Sequence, residues 1–364
     1  MRPATRPLVA AGLTGVLALG LVVVAAPDTR PPAPQSASGD QRLARAASAA
    51  LAADPAIRGR VSVVEVDGDR VRQAHFGGAD AGTVYEVGSI SKTFTAALYE
   101  EAVGRGEVRR DTRLGALLPL ADSPAAGIRL DELASHRSGL PRLAPGVART
   151  LTAAASAFVP FDPYTDDLDG LLDAVRGVRL EGRGEVQYSN LGFALLGQAV
   201  ARAAGTSWPR LIADRITAPL GLDSTTAPVR AEDLPTDAPR GRTAAGREAD
   251  PWTMGPSAPA GSIRSTPADL ARWARALLRG TAPGAAALAP RFDDDDRRIG
   301  SAWFTQRERG PIGTTEMTWH NGGTGGFASM IALDRARDRA VVVLSDTAAS
   351  VDRAAVELLL EDPA

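Results

Sequence analysis

The period of the apolar positions changes several times along the chain, and each change predicts an element. An Ala-rich stretch from Gln41 to about Ala53 has helical spacing. In the segment that follows, RVSVVEVDGDRVRQAHF, apolar and polar residues alternate on both sides of Asp67-Gly68, which predicts a hairpin with its turn there. Thr83–Val87 is strand-like and leads through Gly88 into a helix predicted from roughly Ser91 to Gly104. Residues 107–187 carry short apolar runs broken by Pro and Gly, the pattern of a loop-rich, mostly helical insertion. Helical spacing returns from Asn190 to about Ala204 (Leu191, Ala194, Leu195, Ala199, Val200), and a second helix is predicted near 207–217. Thr266-Pro267-Ala268-Asp269 is a capping box with Pro at the first helical position, opening a helix to about Arg279. Beyond it the chain turns strand-like at 303–304, 316–319, 326–334 and 339–346, with a turn at Arg335–Asp338 and a closing helix near 351–360. The acidic run Asp293–Asp296 reads as a solvated loop rather than a metal site. No internal repeat is visible.

Strands at both ends of the chain with helices between them predict an α/β (α+β) fold. In it the strands share one central antiparallel sheet with helices on both faces, a three-layer sandwich, and a mainly helical subdomain is inserted at about 107–260. The globular domain is placed at 41–364. Ahead of it, residues 27–40 (PDTRPPAPQSASGD) read as a disordered Pro/Ser-rich linker. Residues 1–26 hold Arg2 and Arg6 before an apolar run from Leu8 to Ala26, the pattern of a signal peptide or an uncleaved N-terminal membrane anchor. Either reading places the rest of the chain outside the cytoplasm, secreted or held at the membrane by this segment.

Composition narrows the chemistry. With 364 residues and 44% hydrophobic positions the chain can bury a large core, in one domain or two intimate subdomains. A net charge of −2 gives no pull toward nucleic acid. With no cysteine there is no disulfide, thiolate zinc site or lipidated Cys. The three histidines, at 75, 136 and 320, are too far apart for a local metal motif, so neither a metal nor a cofactor is expected. Of the 41 Lys and Arg residues a single one, Lys92, is lysine. Arginine can replace lysine on a solvated surface but not where a proton must come off, because the guanidinium stays charged.

Ser89 lies three residues before Lys92, in EVGSISKTFTAAL. S-x-x-K alone is a weak motif, and its plainer reading is a helix cap beside a surface lysine. The strand–glycine–helix context strengthens it. It sets Ser89 at the helix N-terminus with Lys92 one turn on, on the same face. The helix end favours an alkoxide and the oxyanion that follows attack. A lysine buried beside the hydroxyl loses solvation, its pKa falls, and it can take the serine proton near neutral pH. Ser91 points to another face. A second cluster, Tyr188-Ser189-Asn190, lies just before a helix. Its phenol can relay a proton, and its amide offers a donor and an acceptor. A third, His320-Asn321-Gly322-Gly323, ends a strand, and its glycines let a ligand approach a backbone N–H. Read alone, the second is a tyrosine packed at a helix start and the third a turn.

The order S-x-x-K, Y-x-N, H-x-G before a strand pair resembles the serine β-lactamase and penicillin-binding-protein superfamily. More narrowly the chain resembles its class C β-lactamase-like group, which includes D-alanyl-D-alanine carboxypeptidases and esterases. Supporting stretches are LASHRSGLP (133–141), PLGLDST (219–225), AGSIRSTPADLARWARALL (260–278) and WHNGGTGGF (319–327), and the resemblance runs over about 45–346. It implies a central antiparallel sheet flanked by helices, and a serine hydrolase working through an acyl-serine. Ser89 is then the nucleophile, Lys92 and Tyr188 the base and proton-relay pair, and Asn190, His320 and Gly322 the substrate contacts. The N–H groups of Ser89 and Gly323 form the oxyanion hole. His320 stands where most β-lactamases have the lysine of K-T-G, and a mostly neutral imidazole is a weaker carboxylate anchor. This favours D-Ala-D-Ala carboxypeptidase-like or esterase-like activity, on a small molecule or a peptidoglycan peptide. The alternatives are a β-lactamase and a non-catalytic penicillin- or peptidoglycan-binding protein; the intact Ser89, Lys92 and Tyr188 set argues against the last.

Overall fold

The computed structural model describes residues 36–145, apart from 55 and 57, and residues 161–363. The apolar run Leu8–Ala26, expected as a signal peptide or anchor, lies outside the described residues. Among those described, no helix is long and apolar enough to cross a membrane.

The predicted hairpin forms as β2 (Val61–Asp67) and β3 (Arg70–Phe76). Through β2 it joins the C-terminal strands in one antiparallel sheet, nine-stranded among the described residues, in the order β1-β3-β2-β11-β10-β9-β8-β7-β6. Here β1 is Ser38–Gly39, β6 Phe292–Asp294, β7 Arg297–Ile299, β8 Phe304–Gly310, β9 Gly313–Gly323, β10 Ala328–Asp334 and β11 Arg339–Ser345. The first and last parts of the chain thus meet at the middle of the sheet, where Val63 pairs with Val343. A separate pair, β4 (Tyr85–Glu86) with β5 (Arg264–Ser265), flanks the turn that carries Ser89.

Strand parity builds the three layers. Val61, Val63, Met330, Ala332, Val341 and Val343 face helices α1 (Gln41–Ala52) and the C-terminal Asp352–Leu360. Val64, Val66, Ile331, Leu333, Val342 and Leu344 face the other way. They meet α2 (Ser91–Gly104) and the helical part of the chain: α3 (Leu130–Ala134), α4 (Leu168–Arg176), α5 (Asn190–Ala203), α6 (Trp208–Ile212, running on through a π turn to Leu220) and α7 (Pro267–Leu278). The C-terminal helix is α8. Each middle strand is buried on both faces, so neither face carries a polar stripe. The stacked Phe94 and Trp273 rings, 4.5 Å apart, tie α2 to α7.

Three expectations need correction. The acidic run is not a loop: Asp293 and Asp294 belong to β6, which turns at Asp295-Asp296 into β7, and Asp294 pairs with Arg297. The segment read as linker is ordered at its end, where Ser38–Gly39 pairs with β3 and Asp40 caps α1 by accepting from the Arg42 and Leu43 N–H groups. The strands expected at 303–304 and 316–319 are longer, forming β8 and β9.

A buried ion pair clamps β4 to β5. The Arg264 guanidinium donates to Glu86, which also accepts from the Trp252 N–H at 3.0 Å, and both side chains are buried. Breaking such a pair strands a charge, at a cost of about 3–5 kcal/mol. Arg264→Met is expected to lower unfolding stability by that amount in urea, and Glu86→Leu/Arg264→Met by clearly less than the sum of the two single changes.

Candidate active site

Gly88 starts the construction. Its φ is +50°, and a Cβ there would lie 2.5 Å from the Gly323 nitrogen, so only glycine lets the chain turn this close to the end of β9. Gly322 is the reciprocal contact: a Cβ on it would lie 2.1 Å from the Val87 carbonyl oxygen and 3.0 Å from the Ser89 nitrogen. Ser329 Oγ donates to the same Val87 oxygen at 2.8 Å. The turn Gly88–Ile90 then passes into α2, leaving Ser89 at the mouth of the helix and Lys92 inside the protein.

Lys92 Nζ lies 2.8 Å from Ser89 Oγ and donates to the Ala260 carbonyl at 2.6 Å. The Tyr188 ring is 5.0 Å from it and the Phe193 ring 5.9 Å. Among the described residues no carboxylate lies within ion-pair distance. Loss of solvation, and secondarily the Arg142 charge, holds the amine well below the usual lysine range. Burial has the opposite effect on Tyr188: it raises the phenol above its ordinary value, opposed by a hydrogen bond with Ser89 and by Arg142. Burial thus disfavours the charged form of both groups, the ammonium and the phenolate. Ser91, the rival hydroxyl, is buried and accepts from the Ile263 N–H at 3.0 Å.

Tyr188-Ser189-Asn190 arrives at the start of α5. Ser189 caps that helix by accepting from the Gly192 N–H, and Asn190 Nδ2 donates to the Tyr164 hydroxyl at 3.2 Å. The Asn190 side-chain oxygen is buried and, among the described residues, without a partner. Burial raises the Tyr164 phenol to about 12. Ser89, Tyr188, Asn190, Gly322 and Gly323 line one cleft of about 560 Å³, together with Arg142, Tyr164, Trp252, Arg297, Trp319 and Asp352. Past Trp319, which pairs with Phe304, β9 has no partner on β8, and Asn321–Gly323 line this cleft.

His320 departs from the expected substrate contact. Along β9, Met317 and Trp319 face α1 and α8, and Asn321 donates to Asp352 at 2.7 Å. His320 has the opposite parity and is fully buried, its ring 6.2 Å from Tyr188 and 6.0 Å from Phe304. Its Nδ1 donates to the Asn321 carbonyl at 2.6 Å. Burial lowers its pKa to about 3, assisted by Lys92. It is a neutral ring behind the tyrosine, not a group on the cleft surface.

Reasoning from motifs missed three participants. His136, at φ +56°, is buried against Tyr188 with ring centres 4.4 Å apart, and its Nδ1 accepts from the Ser189 N–H at 3.1 Å. Only its place in LASHRSGLP hinted at it. Arg142, whose carbonyl accepts from the Asn190 N–H, puts its guanidinium 5.0 Å from the Tyr188 ring. The third is the Ala260 carbonyl, which has no side-chain signature.

Two outcomes follow from these shifts. Arginine cannot accept a proton, so Lys92→Arg should reduce kcat by about 10²–10⁴-fold, with circular dichroism as the check on folding. In the native enzyme kcat/KM should fall as the pH drops through the lowered pKa of the amine. The second concerns stability. The folded-state pKa of His320 lies below its unfolded value of 6.5, so the unfolded chain binds the extra proton between pH 6.5 and about 3. Stability present above pH 6.5 is lost through that window, at roughly 1.4 kcal/mol per pH unit for this group. Urea midpoints between pH 7 and pH 4 should therefore fall less steeply in His320→Gln.

Comparison with known proteins places this geometry. The Beta-lactamase family profile matches residues 44–362. Penicillin-binding protein 4 of Amycolatopsis lactamdurans is 32% identical over 260 residues, covering 64% of this chain and 63% of that protein. The D-alanyl-D-alanine-carboxypeptidase/endopeptidase AmpH of Escherichia coli (strain K12) is 30% identical over 203 residues, covering 54% of this chain and 49% of that protein. The chain thus spans about half to just under two thirds of the length of these relatives. The crystal structure of a class C β-lactamase from Rhodobacter sphaeroides superposes with a TM-score of 0.71 at 23% identity, over 85% of this chain and 97% of that one, and so shares the fold. The chain belongs to the Beta-lactamase family.

Proposed function

We propose that the protein is an extracytoplasmic serine hydrolase that works through an acyl-Ser89 intermediate, with D-Ala-D-Ala carboxypeptidase-like or esterase-like activity on a peptidoglycan peptide or a small ester. One observation carries this reading: the amine of Lys92 lies 2.8 Å from Ser89 Oγ, buried and, among the described residues, with no carboxylate within ion-pair distance. In its unprotonated form, which burial favours, the amine takes the hydroxyl proton as Oγ bonds to the acyl carbon. The developing oxyanion is received by the N–H groups of Ser89 and Gly323. Tyr188, its phenol pushed above the ordinary range by burial, passes a proton to the departing group. Water then releases the acyl group by the reverse relay.

The substrate class rests on further support. Relatives named as a penicillin-binding protein and a D-alanyl-D-alanine-carboxypeptidase/endopeptidase favour a cell-wall peptide. So does the N-terminal pattern of Arg2, Arg6 and the run to Ala26, which sends the chain out of the cytoplasm by a signal peptide or holds it at the membrane. The neutral, buried His320 argues against an efficient β-lactamase, because no charged third-motif side chain meets the carboxylate of a β-lactam.

A fluorescent penicillin and a fluorophosphonate should each label the native protein at Ser89, and Ser89→Ala should remove the label and the turnover of p-nitrophenyl acetate. Equal ester turnover by both proteins would leave a binding protein in place of an enzyme, and no label from either reagent on folded protein would end the acyl-serine mechanism.

A further inference from the structure

The stretch ahead of α5 runs beside residues 136–142. The Glu181 N–H donates to the Gly139 carbonyl at 3.0 Å, the Gly184 N–H to the Arg137 carbonyl at 2.9 Å and the Gln187 N–H to the His136 carbonyl at 2.7 Å. Two residues further on, the donor meets a side chain instead: the Ser189 N–H donates to His136 Nδ1 at 3.1 Å. One residue therefore holds the main chain on both sides of Tyr188. Its ring also packs on the phenol, with centres 4.4 Å apart, and is backed by Phe193 at 4.8 Å. The backbone of His136 is left-handed, with φ at +56°, a conformation that side chains other than Asn, Asp and His seldom adopt.

These contacts fix the chemical form of the imidazole. An amide N–H donates only to a bare ring nitrogen, so the proton of the neutral ring is on Nε2. An imidazolium would set one N–H against another. Loss of solvation, and after it Lys92, holds the group well below the usual histidine range. Nε2 is buried and, among the described residues, without a partner. A left-handed backbone and a buried unpaired donor each cost stability. Both costs fall on one residue, and that residue grips the tyrosine of the second motif.

We infer that His136 is a positioning residue for Tyr188: in its neutral Nε2–H form it holds the phenol where it can give its proton to the departing group. This rests on the acyl-serine reading above. His136 is buried and does not line the cleft, so it acts through Tyr188 alone. Its effect must then follow the leaving group. A departing alkoxide needs a proton, whereas p-nitrophenolate leaves without one.

The test compares acetate esters of p-nitrophenol, phenol and ethanol, with acid release followed in a pH-stat and kcat/KM taken as the measure of acylation. His136→Leu removes both the ring and the acceptor. His136→Asn removes the ring, keeps an acceptor oxygen in place of Nδ1 and tolerates the left-handed backbone. His136→Leu should lose roughly ten- to a hundredfold on the ethyl ester and little on the p-nitrophenyl ester, with His136→Asn between it and the native protein. In a Tyr188→Phe background, His136→Leu should cost little more. In the native protein, histidine ¹⁵N shifts assigned by single replacement of His75 and of His320 should show His136 with Nδ1 bare and Nε2 protonated. That measurement needs no folded variant at 136. No loss, an equal loss on all three esters, an undiminished loss in the Tyr188→Phe background, or a proton on Nδ1 refutes the positioning role and leaves the acyl-serine reading standing. If the native protein turns over none of the esters and a fluorophosphonate leaves Ser89 unmodified, the acyl-serine reading itself fails and takes the positioning role with it.

Discussion

An ammonium group removed from water without a carboxylate beside it is too costly to persist, so the group gives up its proton instead. The same pressure acts on Lys92 and lowers the pKa of its amine. Its surroundings are the Ala260 carbonyl, the Ser89 hydroxyl and the rings of Tyr188 and Phe193. A carbonyl dipole accepts from the amine but does not hold the charge as an acid would. The wall of this pocket is built from distant parts of the chain, since α2 supplies the lysine, the start of α5 supplies Phe193, and the approach to β5 supplies Ala260. The helical part and the sheet must both be folded before this amine is desolvated. The stability of the fold and the reactivity of the serine are coupled through one desolvated amine.

The second constraint is backbone proximity. Gly88 and Gly322 face each other across the join between the nucleophile turn and β9, and a methyl group on either would meet main-chain atoms at 2.1–2.5 Å. The contact is between main-chain atoms of the Ser89 turn and of β9, and a larger residue at either position would block it. The glycines that make it possible have little stability of their own to offer. The surrounding structure supplies it, through the hydrogen bond of Ser329 to Val87 and the Glu86–Arg264 clamp.

How much of this the sequence displays depends on whether a feature has a period or a spacing. The central strands were legible because alternating apolar residues serve two packed faces, as Val63 and Val64 show. α2 and its Ser89–Lys92 pair were legible because three residues make almost one helical turn. The β6–β7 hairpin was not, since a short edge hairpin with an acidic turn has no apolar period to read. The insertion 107–187 showed its composition but not the path that brings Arg142 to Tyr188. His136 acts through a backbone contact to Ser189 and a ring packed on Tyr188, and neither leaves a trace in residue spacing. His320 was placed on the right strand and assigned the wrong neighbourhood. Motif position locates a residue along β9, whereas parity decides whether it meets solvent or core.

Parity also explains how the third motif divides its work. On one face of β9, Asn321 reaches Asp352 and α8; on the other, His320 packs behind Tyr188; and Gly322, on that second face, leaves room for Val87 and Ser89. A charged side chain at 320 would sit buried beside the Lys92 pocket and compete with the amine for its single carbonyl acceptor. A neutral imidazole, its Nδ1 proton given to the next carbonyl, fills the same volume without adding charge. The neutral ring adds no charge to the interior near Ser89, whereas the Arg142 guanidinium lies at the exposed cleft surface, 5.0 Å from the Tyr188 ring.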